Sequence, residues 1–469
     1  MNKRHSARLL LILLLLIVLS ACGVLEVGIE ASPEPGAGGE ESTPVETTVT
    51  EPTEPPMEAA TEEPAPSATP PQTVEPTDEP APTDTPAPQP EMLRVVFGRE
   101  NNTYLWTPGL GEQPLTDSGD VDDANISDDG QLVALIREGH LWVVDNDGSN
   151  MRQLTRDEDF AGVDLSNIAG NIIGVRVYQT EWIPDTRSLL FNTSPQIEGP
   201  GLLLSNDLWR VDVDSGDLTQ LRSAGEGGNF MLSPDGSQLA LVRPDSISVM
   251  NLDGSNVREL FTYTPVLTYS EYQYYAQPVW TPAGNALRVA IPPSDPMAQP
   301  AQATEIWHLP LDGGSPNFMG QVMAFMPQNH ANVVLAPDGS RLAYLEESDA
   351  GGSARNLMLA SLTDQVGEPV VYADSVNEIR GWSPDAKRLI FARLSGNTMS
   401  LSIGAPPAAP ENVGSAQSPV IALEWADDEQ FVFTRQAGEG WELVLGNITG
   451  ETQVIAAISS PPSGFDVDK

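Results

Sequence analysis

The sequence predicts an all-β protein, a β-propeller of four-stranded antiparallel blades, with eight blades or, if the chain's tail adds no strand, seven. Three observations predict it. A Pro-Asp-Gly turn followed by a short apolar run recurs at intervals of 43 to 56 residues. A second short strand, ending in Asp-Gly or Ser-Gly, follows most of those runs. No stretch beyond Met92 sustains an apolar stripe of helical period, so almost no helix is expected.

The turns come in seven copies: "ISDDG" from Ile126, "WIPDT" from Trp182, "LSPDG" from Leu232, "WTPAG" from Trp280, "LAPDG" from Leu335, "WSPDA" from Trp382 and "WADDE" from Trp425. Proline presets φ at the first turn position, aspartate caps its own backbone, and glycine takes a positive φ. The strands that follow, among them "QLALV", "RLAYL" and "RLIFA", are too short for helices. Their apolar residues are consecutive rather than alternate, so both faces are covered, as they are where blades pack against one another. The next strands, such as "DLWRVDVDSGD" and "EIWHLPLDGGS", close in hairpin dipeptides. Trp182, Trp280, Trp382 and Trp425 recur at one slot, which marks packing rather than a cofactor.

The segment Leu93 to Thr116 reads as the last three strands of a further unit with no opening turn. The tail after Val454 could supply its inner strand and bring both chain ends into one blade. The pattern "SPDG", strand, "IWHLPLDG" and "LT" resembles the repeat of TolB-type, WD-repeat-like β-propellers of exported bacterial proteins. The propellers of prolyl oligopeptidase relatives share it. The resemblance covers about 92 to 459 and implies fold far more than function. TolB-type propellers are six-bladed, and this chain has too many units for that.

Residues 1–22 read as a lipoprotein signal peptide. Lys3, Arg4 and Arg8 precede eleven apolar residues from Leu9 to Leu19. That run covers roughly 16 Å as a helix, too short for a bilayer core. "Leu19-Ser20-Ala21-Cys22" resembles the lipobox of bacterial lipoproteins, which implies a lipid on Cys22, the only cysteine in the chain. The expected location is the cell envelope, with the protein lipid-anchored to a bacterial membrane and facing outside the cytoplasm. Residues 23–91 read as a disordered acidic linker rich in Pro, Thr and Glu. Residues 31 to 91 hold 16 prolines, 11 threonines and no Lys or Arg. Fully extended, that stretch would reach about 190 Å. Residues 92–469 then form the propeller domain.

Charge narrows the partners. The net charge is -43, and after the 16 acids and 3 bases of residues 1 to 91 are set aside, 50 acids face 20 bases, a net of -30. No nucleic-acid partner is expected of such a domain. No catalytic motif is present either. His140, His308 and His330 are scattered over different units, and no G-x-S-x-G elbow, P-loop or zinc motif occurs. No cofactor and no metal is expected; "DNDGSN" from Asp145 reads as a hairpin turn, since it lacks the distal Glu of a Ca²⁺ loop.

Loop length points to binding. All long insertions fall where a blade's outer strand leads to the next inner strand, or where its second strand leads to its third. Those two loop sets share one face. They comprise Arg156 to Tyr178, Ser194 to Asn206, Thr262 to Val279, Pro292 to Thr304, Gly320 to Val333 and Glu346 to Arg355. One of them carries Tyr263, Tyr269, Tyr272, Tyr274 and Tyr275, a candidate site for a protein or cell-envelope ligand. These tyrosines could instead pack between blades. The expected function is a non-catalytic binding module; the alternative is a propeller enzyme acting on polysaccharide or peptide at the central channel.

Overall fold

The computed structural model describes residues 92–469, apart from 167–170, 200–201, 271, 326–332, 349–354, 418–421, 460–463 and 468–469. Cys22, the signal peptide, the linker and His330 lie outside the described residues. Among the described residues no helix is long and apolar enough to cross a membrane.

Strands appear in chain order as β1 (Val95–Arg99), β2 (Asn102–Thr107) and β3 (Gly111–Pro114), then four for each blade. Blade 1 is β4 (Val121–Ile126), β5 (Leu132–Arg137), β6 (His140–Asp145) and β7 (Arg152–Gln153). Blade 2 is β8 (Ile172–Trp182), β9 (Ser188–Ile197), β10 (Leu208–Asp212) and β11 (Leu218–Arg222). Blade 3 is β12 (Asn229–Leu232), β13 (Gln238–Val242), β14 (Ser246–Asn251) and β15 (Arg258–Thr262). Blade 4 is β16 (Val279–Trp280), β17 (Ala286–Ile291), β18 (Thr304–Pro310) and β19 (Asn317–Val322). Blade 5 is β20 (Val333–Leu335), β21 (Arg341–Glu347), β22 (Arg355–Ser361) and β23 (Val370–Val376). Blade 6 is β24 (Glu378–Trp382), β25 (Leu389–Ser395), β26 (Thr398–Gly404) and β27 (Glu411–Gln417). Blade 7 is β28 (Leu423–Trp425), β29 (Gln430–Ala437), β30 (Gly440–Asn447) and β31 (Thr452–Ile458).

The tail settles the count at eight. Strand β32 (Phe465–Val467) pairs antiparallel with β1, Val467 opposite Val95, and completes a sheet ordered β3-β2-β1-β32. Both ends of the propeller chain therefore share blade 8, and the ring is fastened by hydrogen bonds between its first and last strands. All strand pairings are antiparallel between chain neighbours, apart from this closure and a single bridge, Gln417 to Gln436, that joins blades 6 and 7.

The core is not one body but eight seams. Val96, Leu105, Val133 and Leu135 fill the seam between blades 8 and 1. Leu141, Val143, Leu189 and Phe191 fill that between blades 1 and 2. The series continues round to the seam of blades 7 and 8, where Val432 and Leu443 meet Val95, Phe97 and Val467. Each unit lacks a core of its own and buries its faces only against its neighbours, which is why consecutive apolar positions recur in the second strands. The recurrent tryptophans sit in these seams. Trp182 and Trp382 also donate their indole N–H to the backbone of the preceding blade, to Asn125 O and Val334 O, both at 3.2 Å.

The turns follow from their residues. In blade 3, Ser233 Oγ donates to Asp235 Oδ1 at 2.7 Å and accepts the amide of Gln238 at 2.9 Å, while Gly236 adopts φ +66°. Hydrogen bonds from Ser233 and Ser237 hold the Asp235 carboxyl down to about 2. "DNDGSN" is the turn between β6 and β7, with Asn150 Nδ2 donating to Asp145 Oδ2. The one helix among the described residues is α1 (Asp157–Phe160). One sequence expectation is corrected: the last seven residues of the stretch from Arg156 to Tyr178 are strand, not loop. Strands β8 and β9 run eleven and ten residues and extend the blade 2 hairpin beyond its neighbours.

Candidate functional site

Every long insertion lies on the face where inner strands begin. The opposite face carries the shorter connections, of which residues 362–369 in blade 5 are the longest among the described residues. The insertions also occupy consecutive blades, from the link into blade 2 to the hairpin of blade 5, so one sector of the rim is built up.

Three insertions meet around the tyrosine-rich link between blades 3 and 4. Leu202, in the blade 2 hairpin, forms a parallel bridge with Tyr272. Tyr275 donates its hydroxyl to Asn206 Oδ1 at 3.0 Å. From the blade 4 hairpin, Ser294 O accepts the amide of Leu267 at 2.8 Å, and Asp295 Oδ1 accepts the hydroxyl of Tyr269 at 2.6 Å. The loops thus brace one another.

The five tyrosines divide. Tyr263, Tyr274 and Tyr275 pack on the seam of blades 3 and 4. Tyr263 also donates to Arg243 O at 2.7 Å. Burial pushes the Tyr275 hydroxyl up to about 12, and those of Tyr263 and Tyr274 further still. Tyr269 and Tyr272 stand out from the surface, 59% and 47% exposed, beside exposed Leu267. Tyr269 holds φ +56°, a left-handed conformation uncommon for an aromatic residue and kept here by the bonds around it. With Pro244, Pro265 and Tyr274, these residues line a concavity of about 590 Å³ rimmed by Thr268, Ser270 and Gln273.

A second cavity, of about 390 Å³, opens on the central axis. Its walls come from the inner strands of four consecutive blades: Phe465 and Asp466 from blade 8, Asp123 and Asn125 from blade 1, Tyr178, Gln179 and Thr180 from blade 2, and Asn229 from blade 3. These residues run from the starts of β12 (Asn229) and β32 (Phe465) to near the end of β4 (Asn125), so the cavity is an open stretch of the central channel, with its mouth where β12 and β32 begin. Asp123 touches the channel solvent, yet the crowding strands push its carboxyl above the usual range, as does the like charge of Asp122. Asp466 Oδ2 accepts the amide of Ile126 at 2.8 Å, tying blade 8 to blade 1.

Sequence reasoning missed this mouth, although a signal was present. Asp123, Gln179 and Asn229 each stand five residues before the Pro slot of their repeat. A polar residue recurring at one slot of an inner strand marks the channel wall. The two described histidines do not converge: His140 Nε2, on blade 1, lies 3.3 Å from Asp157 Oδ1, and His308 belongs to blade 4. Among the described residues no group of three or more His, Cys, Asp or Glu side chains is arranged to hold a metal.

The class defined by these features is an eight-bladed β-propeller with one elaborated face. No family model matches the chain, and no curated protein does. Solved structures similar to it include a eukaryotic initiation factor, at 12% identity over 80% of this chain and 98% of that one, with a TM-score of 0.49. An oligogalacturonate lyase in complex with manganese is 14% identical over 70% and 91% of the two chains, with a TM-score of 0.41. TolB from Acinetobacter baumannii is 13% identical over 67% and 61%, with a TM-score of 0.32. These likenesses reach no further than the fold.

Proposed function

We propose that the protein is a non-catalytic binding module, lipid-anchored through Cys22 in a bacterial cell envelope, that holds a protein or other envelope component on its long-loop face. The single observation behind this reading is the convergence of three mutually braced insertions on an aromatic concavity. Such a surface offers rigid apolar rings with hydrogen-bonding tips at little entropic cost. The alternative of an enzyme acting at the channel would rest on Asp123 and Asp466, the two acids that stand among aromatic rings, carboxamides and hydroxyls at the channel mouth.

A photo-crosslinking amino acid placed at Tyr272 in the full chain tests this in cells. Adducts are expected there and not at Asp253, in a tight turn of the opposite face. Equal labelling at both positions, or none at Tyr272, would sink it. Lipidation is read separately: a labelled fatty acid should enter the wild-type chain and not Cys22→Ala.

A further inference from the structure

The channel mouth is rich in acceptors and lacks a base. Among the described residues that line it there is no Lys, Arg or His. Asn125 of blade 1 and Asn229 of blade 3, on either side of the blade 2 inner strand, each carry a buried carboxamide oxygen with no hydrogen-bond partner. Asp123 and Asp466 add carboxylate oxygens, and Tyr178 and Phe465 add rings. Unpartnered buried acceptors are costly unless a donor-rich guest meets them. The fold's own charge favours a positive guest, since the domain carries a net charge of about -30 and focuses cations into a cleft of this sign.

From this set we infer that the channel mouth binds a small organic ammonium, an alkylamine or diamine whose N–H groups meet Asp123 and, once their side chains turn into the channel, the carboxamides of Asn125 and Asn229, while its carbon chain lies against Tyr178 and Phe465. Carboxylates with aromatic walls are the ordinary chemistry for such cations. A bare divalent metal fits less well, because it asks for more carboxylate ligands than the two present. The site is distinct from the tyrosine concavity and does not rest on its partner. A Gly at 464 helps to shape it: a Cβ there would come within 2.7 Å of Asp123 Oδ1 and push the carboxylate aside, a movement a flexible side chain can make without unfolding the blade.

The test is calorimetric titration of the full chain with putrescine, Mg²⁺ and sorbitol, for the wild type, Asp123→Asn, Gly464→Ala and, as a remote control, Asp253→Asn. Saturable putrescine binding is expected in the wild type and the control. Asp123→Asn should weaken it about tenfold, as a partly screened ammonium–carboxylate contact would, and Gly464→Ala should weaken it in the same direction. Unchanged melting temperatures show that neither effect is unfolding; a variant that melts early is replaced by Tyr178→Leu, which should also weaken binding. The inference is overturned if putrescine does not bind, if Mg²⁺ or sorbitol binds as tightly, or if Asp123→Asn binds like the wild type.

Discussion

Asp207 stands at the foot of the blade 2 insertion, one residue after the Asn206 that Tyr275 grips, and its replacement by alanine tests how that insertion is held. The side chain is fully buried. Asp207 Oδ1 accepts the amide of Thr193 at 2.8 Å. Oδ2 accepts the Thr193 hydroxyl at 2.7 Å and the Trp209 indole N–H at 2.8 Å. In Asp207→Ala the Thr193 hydroxyl keeps Ser205, 2.8 Å away. The Thr193 amide and the Trp209 indole are left without acceptors, at about 1–3 kcal/mol each. Relief from burying a carboxylate returns part of that, so the net loss should be about 3 kcal/mol. That is a large share of a typical domain's stability, about 5–15 kcal/mol. Burial outweighs these bonds and raises the Asp207 pKa. A carboxyl whose folded value exceeds its unfolded one adds stability at acid pH, and loses it as pH rises through the window above the ordinary carboxylate value. The substitution should therefore cost more near pH 4 than near pH 8. Urea unfolding at both pH values measures it. A loss under about 1 kcal/mol, or a larger loss at the higher pH, would refute the account of Asp207 as the buried anchor.

Other expectations concern the rim, the seams and the closure. Tyr269→Ala with Tyr272→Ala should leave the melting temperature within a few degrees and abolish the partner adduct at a neighbouring cross-linker site such as Leu267. Tyr274→Ala, by contrast, should lose about 3 kcal/mol in urea unfolding, because it opens a hole beside the seam of blades 3 and 4. Gly227→Ala should be among the most damaging single changes, since its Cβ would lie 2.4 Å from the backbone carbonyl of Asp207; poor soluble yield or a melting temperature lower by several degrees would register it. Val467→Ala should cost about 1–2 kcal/mol, and hydrogen exchange at β1 should quicken while β13 stays protected.

The turns and seams were legible because each is dictated by one local requirement. A positive φ asks for glycine at 236 and 339, and strands covered on both faces ask for unbroken apolar runs such as Leu239–Val242. The blade count was ambiguous because β32 is three residues long and follows a Pro- and Gly-rich stretch that propensity alone would leave as coil. The extent of β8 was hidden for a different reason: at its start Ile173 is 67% exposed, so apolar patterning there reports a protruding hairpin and not a core. Among the tyrosines, sequence adjacency placed five in one segment. It could not separate Tyr274, turned into the seam, from Tyr272 two residues earlier, turned out. That difference belongs to the braces from Leu202 and Asp295, which come from other blades.

The two faces explain why the fold reads more easily than the function. The Pro-Asp-Gly turns that announce each repeat all lie on the short-loop face, where backbone conformation leaves little choice of residue. Insertions there would disturb the hairpins that set strand register. Variation is thus confined to the other face, where each link between blades can lengthen without altering a seam. The residues that differ most from the repeat are therefore those of the long-loop face, where the proposed ligand would bind, and they carry no period by which to find them. Channel-wall positions lie between these cases. They keep the repeat's spacing, so Asp123, Gln179 and Asn229 are found by counting back from the turn, yet their side chains are free to differ in charge from blade to blade. Tyr178, in the channel wall, lies close enough to Tyr275 to help raise the pKa of the Tyr275 hydroxyl, so the channel mouth and the braced loops form neighbouring parts of one rim.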